Sequence, residues 1–277
     1  MTLKRIVIAS LGLCASVGLA GRWALAQDAE TERGLERYRQ MMKEDPWSNP
    51  ALLDADRGEA LWATARGPKN ATLEACDLGK GPGMVDGAFA ELPRYFADAD
   101  RVMDLETRLL WCMETVQGLK QADLVKRPHP AGGQPVKDLG AIATWVASKS
   151  SGALIAAGSG HPKEKEMTAL GEALFTRRSG PFDFSCATCH ADAGRRIRLQ
   201  ALPHLSEPAE AKKVVGEWPA YRVSSTHVMT MQHRLYDCYW QMRLPELEMG
   251  SDASVALIAY LADKARGGEI AAPSIKR

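Results

Sequence analysis

The five residues Cys186-Ala187-Thr188-Cys189-His190 constrain this chain more than any other stretch. They spell C-x-x-C-H, the attachment pattern of c-type haem. The chemistry needs this spacing. Two thiols separated by two residues reach the two vinyl groups of one porphyrin as thioethers, and the adjacent histidine turns its imidazole onto the iron. A thioredoxin-type dithiol would need a preceding strand in a βαβ context, and a zinc site would need a second close Cys/His pair. The sequence offers neither.

Residues 1–26 read as an export signal that sends the chain to the periplasm. Lys4 and Arg5 open it, Ile6 to Ala20 is apolar, and Ala24-Leu25-Ala26 is a small-x-small cleavage site. The apolar run is short for a membrane span, and Gly12 and Gly18 weaken it further. Leu13 before Cys14 argues against a lipoprotein signal. Over 277 residues, 35 Lys+Arg stand against 34 Asp+Glu; cleavage takes away three positive charges and leaves a net charge of −2. That balance, with no basic block, argues against nucleic acid as a partner, and the lack of any other long apolar run argues against the membrane. Cleavage also removes Cys14, leaving Cys76, Cys112, Cys186, Cys189 and Cys238, an odd number that needs explaining in an oxidising compartment.

The chain repeats itself. Gly58-Glu59-Ala60-Leu61-Trp62, with Gly67-Pro68 and Cys76 after it, matches Gly171-Glu172-Ala173-Leu174-Phe175, Gly180-Pro181 and Cys186. Arg108-Leu109-Leu110-Trp111-Cys112 matches Arg234-Leu235-Tyr236-Asp237-Cys238, and 141–149 matches 256–264. The offsets are 113, 126 and 115 residues, so the order holds while loops vary. The copies differ at the haem motif: the first reads Cys76-Asp77-Leu78-Gly79-Lys80, without the second thiol or the histidine. With no porphyrin between them, Cys76 and Cys112 are expected to form a disulfide, which leaves Cys238 as the unassigned thiol.

Helical patterns dominate: 30–42, 54–65, 101–119, 139–149, 168–177, 221–242 and 254–265. The expected fold is mostly α: two tandem cytochrome c-like domains, at 27–150 without haem and at 163–277 with it, joined by a Gly/Ser-rich linker at 151–162. His129, His161 and His204 stand beside prolines in polar loops, so solvent roles are expected for them. The sixth haem ligand stays open among Met229, Met231, Met242, Met249, His227, His233 and Cys238. Arg234 and Cys238 share a helix face at i, i+4, where a guanidinium favours thiolate and suits either an anionic substrate or a haem propionate. Asp237 is expected to face elsewhere and to cap or pair locally.

The tandem cytochrome domains, the C-x-x-C-H at 186–190 and the segment 234–243, R-L-Y-D-C-Y-W-Q-M-R, resemble the SoxA family, over essentially the whole mature chain. That is the haem subunit of the SoxAX complex of bacterial thiosulfate oxidation. The resemblance implies an L-cysteine S-thiosulfotransferase that joins thiosulfate to a cysteine of the carrier SoxYZ, with electrons passing to cytochrome c. It implies Cys238 as distal iron ligand and active-site cysteine, often a persulfide, Arg234 as substrate ligand, His190 on the iron, and the small cytochrome SoxX as partner. The lost first motif places the chain with monohaem members, carrying one haem c. A c-type cytochrome acting only as electron carrier is the alternative.

Overall fold

The computed structural model describes residues 30–276, except 32, 35, 39, 42, 43, 46, 47, 127, 128, 131–133, 198 and 199. The export segment lies outside the described residues. The first half contains α1 (Ala51–Ala63), the antiparallel hairpin β1 (Arg94–Phe96) and β2 (Arg101–Met103), α2 (Leu105–Thr115), the single turn α3 (Gln121–Leu124) and α4 (Asp138–Ser148). The second half contains α5 (Pro162–Thr176), α6 (Cys186–His190), the short pair β3 (Arg196–Ile197) and β4 (Gln200–Ala201), and α7 (Pro208–Val214). The hairpin β5 (Ala220–Arg222) and β6 (His227–Met229) follows, then α8 (Met231–Gln241) and α9 (Asp252–Lys264). β7 (Ser274–Lys276) returns to lie parallel to β5.

The three repeated sequence blocks become the same three helices in each half. In both, the first and last helices cross at a glycine. A Cβ on Gly58 would collide with the Ala141 carbonyl and the Trp145 side chain, and one on Gly171 with the Ala256 carbonyl and Tyr260. Without a Cβ the backbones approach closely, and the rings of Trp62 and Trp145 or of Phe175 and Tyr260 pack beside the crossing at 5.4 and 5.0 Å.

Two helical expectations are corrected at their N-terminal ends. Both 101–119 and 221–242 begin as strands, and helix starts only after a capping side chain. Asp104 accepts from Thr107 N, and Thr230 accepts from His233 N. Upstream, the turn residues Ser224-Ser225-Thr226 and β-branched Val223 and Val228 favour a hairpin over a helix. Conversely, α5 starts earlier than its apolar pattern, because His161 caps it, Pro162 occupies its first turn and Glu164 completes the capping box.

The Cys76–Cys112 disulfide lies in the first half's core, with a Cα–Cα distance of 5.6 Å. Closing a loop with a sequence separation of 36 is worth about 4 kcal/mol.

Two of the junctions between the halves are buried. Segment 151–161 is stitched to both: Ala156 N donates to Ala90 O, Gly158 N to Pro93 O and Ile155 N to Gly268 O. Ile155 and Ala157 share a small core with Ala147 of one half and Ala262 and Ile270 of the other. The second junction is polar and without water access. Glu106 of α2 accepts from Thr230 Oγ1 at 2.7 Å and from Gln232 N at 3.1 Å, at the start of α8. Gln232 in return donates its amide to both oxygens of Asp104, at 2.9 and 2.8 Å, at the start of α2. Burial and the neighbouring Asp104 push Glu106 up to about 8.

Two outcomes are expected. Gly171→Ala should cost about 3 kcal/mol, a fall of roughly 10 °C in thermal melting, despite alanine's better helix propensity. Because Glu106 binds its proton more tightly when folded, its contribution is full below the unfolded carboxylate range and fades as pH rises toward and past 8. Wild-type melting temperature should therefore fall more steeply between pH 6 and 9 than that of Glu106→Gln; parallel curves would contradict this.

Candidate haem and anion site

The C-x-x-C-H sequence forms the single-turn helix α6, capped by Ser185, whose hydroxyl accepts from Thr188 N while its own N–H bonds to Thr188 Oγ1. His190 Nδ1 lies 2.8 Å from the Pro203 carbonyl. That contact requires the proton on Nδ1, which leaves the Nε2 lone pair for a metal. Burial, and secondarily Arg234, hold His190 below its ordinary pKa, so the ring is neutral, as a ligand must be.

The half-buried thiols Cys186, Cys189 and Cys238 lie close enough to perturb one another electrostatically. Burial pushes Cys186 up to about 12. Cys186 packs against an apolar cluster with Phe175, Leu205, Leu235, Tyr239, Leu257 and Leu261. Two thiols on one turn, a neutral imidazole with its outer nitrogen already engaged and an apolar wall are the donor set and surroundings that haem c requires. In the first half the same region is filled by Leu73, Leu78, Leu109, Met113 and the disulfide.

α8 supplies the other side. Burial raises the Cys238 thiol and Asp237 and Cys189 raise it further, while Arg234 and Arg222 pull it down. Arg234 is thus near Cys238, as the i, i+4 spacing requires. Asp237 pairs within its own helix, as expected, but toward Arg234 instead of away from it: its carboxylate takes Arg234 Nη1 at 2.6 Å and Gln241 Nε2 at 2.7 Å. Sequence reasoning missed Arg222, the last residue of β5, which faces the same group of charges.

Several alternative ligands are engaged elsewhere. His233 stacks on His129 at 4.0 Å and on His227 at 5.4 Å. Met229 is buried with Trp218 and Ala220. The solvent role expected of His129 is therefore overturned: burial, then His227, depress it to about 3. His161 also leaves solvent to cap α5 and stack on Tyr95 at 3.8 Å, whereas His204 sits half-buried before α7.

A neutral histidine following two thiols on one turn, in one of two duplicated helical domains, defines a tandem c-type cytochrome. The family model described as SoxA/TsdA, cytochrome c domain, matches residues 57–155 and again 170–270, and the chain belongs to that family. It is 46% identical over 279 aligned residues to the L-cysteine S-thiosulfotransferase subunit SoxA of Hydrogenophilus thermoluteolus, covering 99% of this chain and 100% of that one. A protein of the same description from Hydrogenobacter thermophilus is 33% identical, with 96% of each chain covered. Among solved structures, that of SoxXA from P. pantotrophus aligns with a TM-score of 0.69 over 86% of this chain and 83% of that chain, at 23% identity, a likeness of fold. Among the described residues no helix is long and apolar enough to cross a membrane.

Proposed function

We propose that this chain is the haem subunit of a periplasmic L-cysteine S-thiosulfotransferase. It joins thiosulfate to a cysteine of the carrier SoxYZ, with SoxX as its cytochrome partner and a c-type cytochrome as final electron acceptor. The observation that carries the reading is Arg234 beside Cys238 on the helix facing C-x-x-C-H, in a chain 46% identical along its whole length to a protein of that description.

One haem c is carried: Cys186 and Cys189 hold its thioethers, and His190 and Cys238 its iron. When bound, it supplies the electron outlet that the reaction needs. The carrier thiolate and thiosulfate give one new S–S bond between the carrier sulfur and the sulfane sulfur. No bond of thiosulfate breaks, and two electrons leave. Both reactants are anions, so the chain's task is to bring negative charges together.

Arg234 answers that need, because a guanidinium can grip a sulfonate edge with paired N–H donors and offset its charge. Asp237 and Gln241 hold the arginine in place before substrate arrives. Cys238 is the active-site cysteine, as thiolate or persulfide, and the nearby arginines oppose the rise that burial imposes on its thiol.

Cys238→Met and Cys238→Ser should abolish thiosulfate conjugation to the carrier while covalent haem remains; retained conjugation with only a shifted potential would make the chain an electron carrier. Arg234→Lys should raise KM for thiosulfate about tenfold, the worth of one charge-assisted contact. A fall in haem content alone would assign Arg234 to a propionate. Non-reducing peptide mass spectrometry should find one haem on the 186–190 peptide, a Cys76–Cys112 cross-link, and Cys238 outside any disulfide.

A further inference from the structure

The second half carries a half-buried cation that, among the described residues, no acid pairs with, and the first half displays the same position without that imbalance. Arg222 ends β5 in register with His227 on one side and Lys276 on the other. Its backbone is thoroughly used, the carbonyl accepting from Ser225 N and Thr226 N. Its guanidinium is not. Nε is buried without a partner, and Nη2 only reaches Ser224 Oγ at 3.5 Å. Among the described residues no carboxylate forms an ion pair with it. The charges near it are Arg234, Asp237 and Cys238. Asp237 already serves Arg234 and Gln241, so two guanidiniums share one carboxylate.

The first half is an internal control. Its hairpin β1–β2 has the same register at an offset of 126, Phe96 pairing with Arg101 as Arg222 pairs with His227. The turns match as well: Asp100 and Thr226 hold the corresponding positive φ values of 48° and 57°. By the same offset, Arg108 corresponds to Arg234, Phe96 to Arg222 and Asp98 to Ser224. There Arg108 lies over the Phe96 ring at 4.1 Å and pairs with Asp98 at 2.9 Å, so one cation meets an aromatic face and a fixed anion. In the second half the aromatic has become a second cation and the anion a serine. A guanidinium whose Nε is buried without a partner carries a cost, and an anion arriving at its open side relieves it.

We infer that Arg222 is a second substrate-binding residue, which with Arg234 grips a dianion beside Cys238 and makes the site prefer two negative charges to one. The inference rests on the thiosulfate reading above and extends it: thiosulfate carries two charges, and after Asp237 has neutralised one guanidinium the other is free to favour the more highly charged ligand. Thiosulfate and sulfate then bind better than a monoanionic sulfonate of similar size.

The test uses the holo complex with its cytochrome partner. Calorimetric binding of thiosulfate is measured without carrier, and KM with it. Sulfate (a dianion) and methanesulfonate (a monoanion), neither with a sulfane sulfur, serve as competitors. Arg222→Phe installs the first half's own arrangement, a ring under the neighbouring arginine. It and Arg222→Gln should weaken thiosulfate binding and raise KM about tenfold, with haem per chain near wild type, and should erase the preference for sulfate over methanesulfonate. Arg222→Lys, which keeps the charge, should retain that preference with a smaller rise in KM. It also decides the matter if the neutral variants do not fold: loss of the preference in the lysine variant, or an unchanged KM, overturns the inference. Unchanged affinity and selectivity in the neutral variants overturn it too. So does a fall in haem content or a shifted potential at unchanged thiosulfate affinity, which would give Arg222 to a propionate. A wild-type complex that binds sulfate selectively but conjugates no thiosulfate would sink the proposed function and leave the dianion site standing.

Discussion

Two helix N-termini face each other at the centre of this molecule, and each is completed by a side chain from the other. The first turn of a helix leaves N–H groups unpaired, and burying them without partners is expensive. Here Glu106, in the first turn of α2, accepts from the start of α8, and Gln232, in the first turn of α8, reaches the capping carboxylate of α2. The two residues occupy the same position in the two repeats. Neither helix can shift along its axis without stranding polar groups of the other. Gly250 N, which donates to the Gln232 side-chain Oε1 at 2.8 Å, extends the constraint to the approach of α9.

The site inherits its rigidity from that junction. Arg234 and Cys238 lie one and two turns beyond it on α8, and Arg222 lies on the strand leading into it. β5 is held on one edge by β6 and on the other by β7, so the chain's last described residues buttress the proposed anion site. The first half therefore serves as a mount: its core is closed by the disulfide and by apolar side chains, and it holds α8 at its N-terminus while α6 and α9 pack on the rest.

Much of this was legible in the sequence, and what was not has physical reasons. The repeats announced the three helices of each half because the glycine at each crossing and the apolar pattern facing it are local signals. The haem-type motif, the Cys76–Cys112 proximity and the shared face of Arg234 and Cys238 followed from spacing. The hairpins before α2 and α8 were absorbed into helices, since three-residue strands are too short to show alternation and only the caps at Asp104 and Thr230 mark the change. His129 looked solvated because its neighbours in sequence are polar, whereas its surroundings are set by His233, which is distant along the chain. Arg222 was readable in principle: extending the R-L-x-x-C alignment 12 residues upstream puts it opposite Phe96.

The buried thiols also sort themselves kinetically. Disulfide exchange proceeds through thiolates, so a thiol kept protonated is slow to attack and slow to be recruited. Cys76 and Cys112 sit within bonding geometry of each other, in a core assembled from their own half. Before haem is attached, burial pushes Cys186 up to about 12, and it raises Cys238 as well, although there Arg234 and Arg222 pull the other way. Once the second half has folded, the packing that buries Cys186 thus also slows its mispairing. Of the five cysteines beyond residue 26, two are crosslinked and Cys186 is held quiet by burial, while Cys238 has arginines beside it that draw it back toward thiolate.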